Sequence, residues 1–248
     1  MTELQPDALV ALAERERDSF ACLIQGIPYE RKGILSSEMF FLWLCARRPP
    51  PRRVLESGRA RAQSTLILSR AFPECEIISV EHDRQSPDVA VAAKRLKGAG
   101  NVKMLFGDAT ALLPALAAQG DIALIDGPKG YRGLRLALRL LASGRLSAVF
   151  VHDTGRGTPE RVFLEKHVPE ALYSDDPRFA GVTHPLDHAA AADIPAEHRW
   201  QDGPPAAGYG FSLACLPWHP DKRYRRALAA AVVEGLAHRL FGRSAAHG

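Results

Sequence analysis

Nowhere does this chain of 248 residues carry an apolar run close to the ~20 residues that a membrane-spanning helix requires, so a helical membrane protein is not expected. The amino-terminal stretch Met1-Thr-Glu-Leu-Gln-Pro-Asp7 lacks the charged-then-apolar layout of a secretion signal, and a cytoplasmic location is the expectation. Cysteine is scarce. Cys22, Cys45, Cys75 and Cys215 lie far apart, with no C-x-x-C pair and no histidine at finger spacing, which argues against zinc. Each sits in or beside an apolar run, as reduced thiols do. No repeat or low-complexity array is present. A dominant charge is missing too: 32 Lys and Arg face 28 Asp and Glu, and the arginines are scattered rather than gathered into a stripe. Nucleic acid is therefore not an expected partner. With 46% hydrophobic and 24% charged residues, the chain can bury a full core as one α/β domain with terminal additions.

What is present is a series of apolar, β-branched runs that end in acidic residues and are followed by amphipathic helices. Val54-Leu-Glu-Ser-Gly58 leads into a helix start at Ser64, and Glu76-Ile-Ile-Ser-Val80 leads into Glu81-His-Asp83. Val102–Phe106 runs into Gly107-Asp108, Asp121–Ile125 into Asp126-Gly-Pro-Lys129, and Leu146–Val151 into His152-Asp153-Thr154. Near-continuous apolar strands alternating with helices imply a parallel sheet covered on both faces. Ligands of such sheets bind outside the carboxyl ends of the strands, so these acidic residues are expected on one rim. A single acid at a strand end is an ordinary cap or turn residue; a whole series of them is harder to explain that way.

Before the sheet, 7–25 and 34–46 read as two helices, with Asp7 and Ser36 or Ser37 as caps. They suit a lid on the rim or a cover for the sheet, and the cluster Phe40, Phe41, Trp43 suits a homodimer contact as well as a core. Residues 1–50 are thus a helical lid or cap, and 51–248 the sheet-containing domain. After the fifth strand, Thr158-Pro-Glu160 is a helix start. Residues 173–208, rich in Pro, Gly, His and Asp, are expected to form a long loop. Within it, His184-x-x-Asp187-His188 reads as solvated loop in preference to a metal site. A final strand over 208–216 and an amphipathic helix over 220–241 close the chain, the basic face of the latter being read as solvated.

Particular residues suggest chemistry. The turn at Gly58 lets backbone approach a ligand, and the first N–H groups of the next helix face an anionic group. Glu81 follows that turn at close to the ~20-residue interval at which acids bind a ribose in dinucleotide-binding folds. Asp108 is placed either to meet an adenine or to cap the helix beginning near Thr110. Asp126 and Asp153 end strands expected to be neighbours, and two converging carboxylates need a positive charge between them: Mg²⁺ or Lys129. For Lys129 to act as a base near neutrality its pKa must fall from ~10.4 to ~7–8, about 4 kcal/mol. His152 is either a rim base paired with Asp153 or a satisfied core histidine.

In this order and spacing, Val54-Leu-Glu-x-Gly58 with Ser64, Glu81, Gly107-Asp-Ala-Thr110, Asp126-x-x-Lys129-x-Tyr131 and Asp153 resemble class I S-adenosylmethionine-dependent methyltransferases. Within them the chain is similar to the small-molecule O-methyltransferases of the catechol and caffeoyl-CoA type, over roughly residues 52–155. The resemblance implies a Rossmann-like, doubly wound, mostly parallel seven-stranded sheet with an antiparallel final strand. It implies that Glu56, Gly58 and Ser64 hold the methionine part of the cofactor, Glu81 the ribose, and Asp108, Ala109 and Thr110 the adenine. Asp126 and Asp153 match metal ligands, and Lys129 matches the family's base. Ala60 and Ala62 replace commonly glycine positions, and Thr154 replaces a usual asparagine ligand. The reaction implied is transfer of a methyl group to a hydroxyl of a small molecule, with or without Mg²⁺; without a metal, His152 paired with Asp153 is the alternative base. Two other readings stand beside it: an NAD(P)-dependent oxidoreductase, against which the poor glycine pattern speaks, and a non-catalytic nucleotide-binding module.

Overall fold

The computed structural model describes residues 6–27, 30, 33–47, 49–192, 212–222 and 224–241, with the side chains of 188–192 and 241 left aside. Its centre is a seven-stranded sheet of order β3-β2-β1-β4-β5-β7-β6, formed by β1 (Arg53–Ser57), β2 (Glu76–Glu81), β3 (Val102–Phe106), β4 (Asp121–Ile125), β5 (Leu146–Val151), β6 (Leu172–Tyr173) and β7 (Ala214–Pro217). The first five strands pair in parallel, and β7 lies antiparallel between β5 and β6. This is the Rossmann-like arrangement expected from the sequence, down to the antiparallel final strand. The strand order reverses at β1, which pairs with β2 on one side and β4 on the other. The crevice above that switch point is where doubly wound sheets take their ligands.

Alternate residues along each strand feed two cores, which is why the strands read as continuous apolar runs. Val54, Ile77, Ile122 and Phe150 face one side, with helices α1 (Pro6–Ile24), α2 (Ser36–Ala46), α3 (Gln63–Ala71) and α8 (Pro177–Ala192). Leu55, Ile78, Ala123 and Val149 face the other, with α5 (Ala109–Leu116), α6 (Tyr131–Ala142), α7 (Pro159–His167) and α9 (Tyr224–Phe241). The short α4 (Asp88–Arg95) packs Ala92 against Ala62. Among the described residues, no helix is long and apolar enough to cross a membrane.

Every residue of α2 is buried. Its rings pack on those of α1 and α8, with Phe20 and Phe40 centroids 5.0 Å apart and Phe41 and Phe179 5.3 Å apart. The aromatic cluster Phe40, Phe41, Trp43 is therefore core packing and not a free surface for a second subunit. Neither Ser36 nor Ser37 is the cap expected of them, because Leu35 is the N-cap residue and both serines lie in the first turn. Two carboxylates take up the free N–H groups instead: Glu38 accepts from Leu35 N–H at 2.8 Å and Asp187, from α8, accepts from Ser37 N–H at 2.9 Å. Asp7 likewise lies inside the first turn of α1. By contrast, Thr158 caps α7 as its sequence implies, accepting from Arg161 N–H, with Pro159 at the first position.

The expectation of a long loop over 173–208 is corrected: β6 ends at Tyr173 and α8 follows from Pro177 to Ala192. Phe179 and Leu186 of that helix are buried against α1 and α2, and tertiary burial supports a helix that carries Pro185 in its interior. The rest of that passage, 193–208, lies outside the described residues, as do 208–211 at the start of the expected final strand.

Candidate active site

The carboxyl ends of β1 and β4 are locked together above the switch point. Asp126 and Gly127 N–H both donate to Ser57 O, at 2.9 and 3.2 Å, and the Ser57 hydroxyl donates back to Gly127 O. Gly58 follows with φ +90°, and a Cβ there would stand 3.0 Å from the backbone of Asp126 and of Gly127. Only glycine meets both demands. Ala60 and Ala62 continue the turn with φ of +42° and +64°. Alanine is thus held in the left-handed region at two positions where the sequence resemblance implies glycine, at a cost of order 1–2 kcal/mol per residue.

This turn borders a cleft of 240 Å³ whose walls include Gly58, Glu81, Gly107, Asp108, Ala109 and Arg132. Glu81, at the end of β2, accepts backbone N–H bonds from Ala60 at 2.8 Å, His82 at 2.7 Å and Asp83 at 3.4 Å. A carboxylate offers about four lone-pair sites, so three weak or good N–H bonds fix Glu81 on the cleft wall and leave it able to accept from a ligand hydroxyl. Asp108 performs the capping role: its Oδ1 accepts from the N–H and hydroxyl of Thr110 at 2.9 and 2.7 Å. Its Oδ2 pairs with Arg132 at 2.9 Å, and the Thr110 bonds, with Arg132, hold its carboxyl below the usual range. Ala109 lines the same cleft, whereas the Thr110 hydroxyl is spent on Asp108.

Glu56 and Ser64 are turned away from the cleft. Glu56 is fully buried and accepts hydroxyl bonds from Ser64 at 2.6 Å, Thr65 at 2.5 Å and Ser79 at 2.5 Å. Burial pushes its carboxyl up, against the pull of these donors and of Arg59. The trio ties β1 to α3 and β2. The Ser64 hydroxyl, implied by the resemblance to meet the cofactor, thus donates to Glu56 in this structure, as a buried carboxylate requires.

Next to Gly58, on the β4 and β5 side, Asp126, Lys129, His152 and Asp153 converge. Lys129 Nζ bridges Asp126 Oδ1 and Asp153 Oδ2, at 2.5 Å from each. His152 Nδ1 lies 2.6 Å from Asp126 Oδ1 and 3.4 Å from Asp153 Oδ1, and its Nε2 lies 3.3 Å from Glu38 Oε2. His152 is thus both on the rim and buried, which joins the two readings the sequence left open. Burial pushes its pKa down, but Glu38 and Asp126 outweigh that and raise it to about 10. Burial likewise acts to lower Lys129 and to raise Asp126, and in each case the opposite charge wins: Lys129 is raised and Asp126 is lowered. The lowered lysine pKa that a base near neutrality requires is not what this arrangement produces. Asp153 reaches Lys129 from a left-handed backbone, φ +60°.

Sequence reasoning did not single out Glu38 or Arg132. Glu38 sits on the α2 helix, which Ser36-Ser37-Glu38 marks as a helix start, but its partner is 114 residues away. Arg132 follows the Asp126-x-x-Lys129 turn in the first turn of α6, and only the adjacency of α5 and α6 brings it to Asp108.

Two groups implied by the family resemblance can be tested for fit. The residues fit an adenosyl group: a turn that admits no Cβ at Gly58, an anchored acceptor at Glu81, and a cleft between them at the switch point. They also fit a divalent cation in donor type, since Asp126, His152 and Asp153 each offer a ligand atom within 4.8 Å of one another. Among the described residues this is the group of three or more able to do so. Thr154 is not part of it, because its hydroxyl donates to Ser212 O at 3.0 Å. Lys129 stands where the two carboxylates would share a cation, so ammonium and metal are alternatives at that point.

No family model matches the sequence, and no curated protein matches it. Among solved structures, the chain is similar to an O-methyltransferase from Bacillus cereus in complex with S-adenosylhomocysteine (14% identity, TM-score 0.46, covering 87% of this chain and 93% of that one). It is similar to a Podospora anserina methyltransferase bound to S-adenosylhomocysteine (17%, 0.46, 88% and 97%). It is also similar to the O-methyltransferase TomG of Streptomyces achromogenes, involved in tomaymycin synthesis and in complex with S-adenosylmethionine (20%, 0.45, 88% and 93%).

Proposed function

We propose that this protein is an S-adenosylmethionine-dependent methyltransferase acting on a hydroxyl of a small molecule. The observation that carries the reading is the junction of two sites at one switch point: Gly58, which walls the cleft holding Glu81, packs directly on the backbone of Asp126, which anchors the charged cluster. A nucleoside in the cleft and a reacting oxygen at the cluster would therefore be neighbours.

S-adenosylmethionine, when bound, supplies an electrophilic methyl carbon on a sulfonium. Glu81 accepts from the ribose hydroxyls, while Ala109 and the Asp108–Arg132 pair border the base. Lys129 and His152, both held charged, are hydrogen-bond donors aimed at a carboxylate pair, and the same donors stabilise an oxygen as it becomes anionic. The proton of the acceptor hydroxyl goes to a carboxylate, and Asp153 is the more exposed of the two. A divalent cation would take the place of the Lys129 ammonium between Asp126 and Asp153, with His152 as a further ligand only once deprotonated, and would supply Lewis acidity toward that oxygen.

The test is transfer of a labelled methyl group from S-adenosylmethionine to a panel of catechols, phenols and sugars, with Mg²⁺ and with a chelator. Transfer that vanishes in an Asp126→Asn, Lys129→Ala double variant supports the reading. Transfer that survives the double variant removes the assignment from these residues.

A further inference from the structure

The outer face of α9 is a surface that the proposed reaction does not use. Of the six large apolar side chains exposed among the described residues, four belong to this helix: Val232, Val233, Leu236 and Leu240, at 40–71% exposed. At about 3.6 residues per turn they fall within about 100° of arc and form one stripe. Tyr224, Ala227 and Ala231, buried in the core that α9 shares with α6, lie on the other side of the helix. Exposed apolar residues met singly need no explanation, but a stripe of four on one helix does.

The charges around the stripe have one sign. Arg226 falls just outside one edge, Arg239 just outside the other, and Arg225 continues the line toward the amino end. All three are exposed, and none has an ion partner among the described residues. The single acid of α9, Glu234, lies off the stripe and is taken by Lys166 at 2.8 Å and His167 at 2.9 Å. At the amino end of the helix, Arg225 and Arg226 also line a recess of 520 Å³ with Lys222 and a half-buried Trp218, and none of its lining residues is acidic. Glu170 and Asp221 engage Lys222 and His219, each at 3.6 Å, and leave the arginines uncompensated. A second copy of the chain does not suit this face, because α9 laid on α9 in either direction sets these arginines against one another. A convex helical ridge offers no groove to a peptide either. An anionic bilayer surface meets both features at once, with phosphates on the arginines, the stripe in the acyl boundary and Trp218 at headgroup depth.

We infer that α9 is a peripheral docking surface for an anionic phospholipid bilayer, its apolar stripe entering the acyl boundary while Arg225, Arg226 and Arg239 take the headgroup phosphates. The surface does not depend on the methyl-transfer reading.

The full chain is sedimented with vesicles of phosphatidylcholine alone and with vesicles carrying about one third phosphatidylserine. Binding to the mixed vesicles is at least about tenfold tighter and weakens as salt is raised. Arg225→Gln with Arg226→Gln lowers the affinity about tenfold, and Leu236→Ser with Leu240→Ser does the same. Lys94→Gln with Lys97→Gln, an equal loss of charge at the α4 end of the chain's surface, leaves it within about twofold. All six positions are exposed, so the variants should fold, as circular dichroism will verify. No binding to the mixed vesicles, binding indifferent to the arginine pair or to the leucine pair, or an equal loss in the lysine control overturns the inference. So does a dimer in solution that Leu236→Ser with Leu240→Ser dissolves, since the stripe would then be a subunit contact.

Discussion

Raising the pH should unload the buried histidine and destabilise the protein by an amount that the rim cluster sets. His152 has an ordinary value of 6.5 and is raised to about 10 in the folded chain, burial being outweighed by Glu38 and Asp126. At about 1.4 kcal/mol per pH unit this corresponds to roughly 5 kcal/mol as an upper bound. The sign follows from proton counting. Between the two values the native state holds a proton that the unfolded state lacks, so the contribution is full below 6.5 and is lost as pH rises toward 10. The assay is urea unfolding of the native chain and of His152→Gln from pH 6 to 9. Over that interval the native chain's advantage should shrink by about 3 kcal/mol. A difference that stays flat with pH, or an imidazole resonance that titrates near 6.5, would refute the reasoning.

Further outcomes follow from the same geometry. Ala60→Gly should stabilise the chain by about 0.5–1 kcal/mol, since relief of left-handed strain exceeds the entropy cost of glycine, and thermal unfolding will register it. Gly58→Ala should destabilise by about 2–3 kcal/mol, because its Cβ would press on the Asp126–Gly127 backbone at 3.0 Å with φ +90°, and chemical denaturation measures the loss. Glu56→Leu leaves the Ser64, Thr65 and Ser79 hydroxyls without their acceptor and should cost about 3 kcal/mol or more, read in the same way.

The five parallel strands were legible because they are apolar runs shared between two cores, and their acidic ends, from Glu81 to Asp153, fell on one rim as expected; the two-residue β6, Leu172–Tyr173, carries no such signal. Gly58 announced the turn. What the sequence withheld depends on contacts between distant segments. That the Ser64 hydroxyl donates to Glu56 follows from the full burial of Glu56, which periodicity does not reveal. Against burial, the upward shift of Lys129 comes first from Asp126 and then from Asp153 beyond β5, and the state of His152 depends on Glu38 arriving from α2. Helix α8 was obscured by Pro185, His184 and Asp187, yet Phe179 and Leu186 of that segment dock on a helix pair that the local sequence cannot show.

The most direct test of the central claim is calorimetric titration of the full chain with S-adenosylhomocysteine, repeated with Glu81→Ala and with NAD(P) in its place. Micromolar binding of S-adenosylhomocysteine, weakened at least about tenfold by the loss of the Glu81 carboxylate and absent for NAD(P), is the result expected. Binding of NAD(P) without S-adenosylhomocysteine, or S-adenosylhomocysteine affinity indifferent to Glu81, would contradict it.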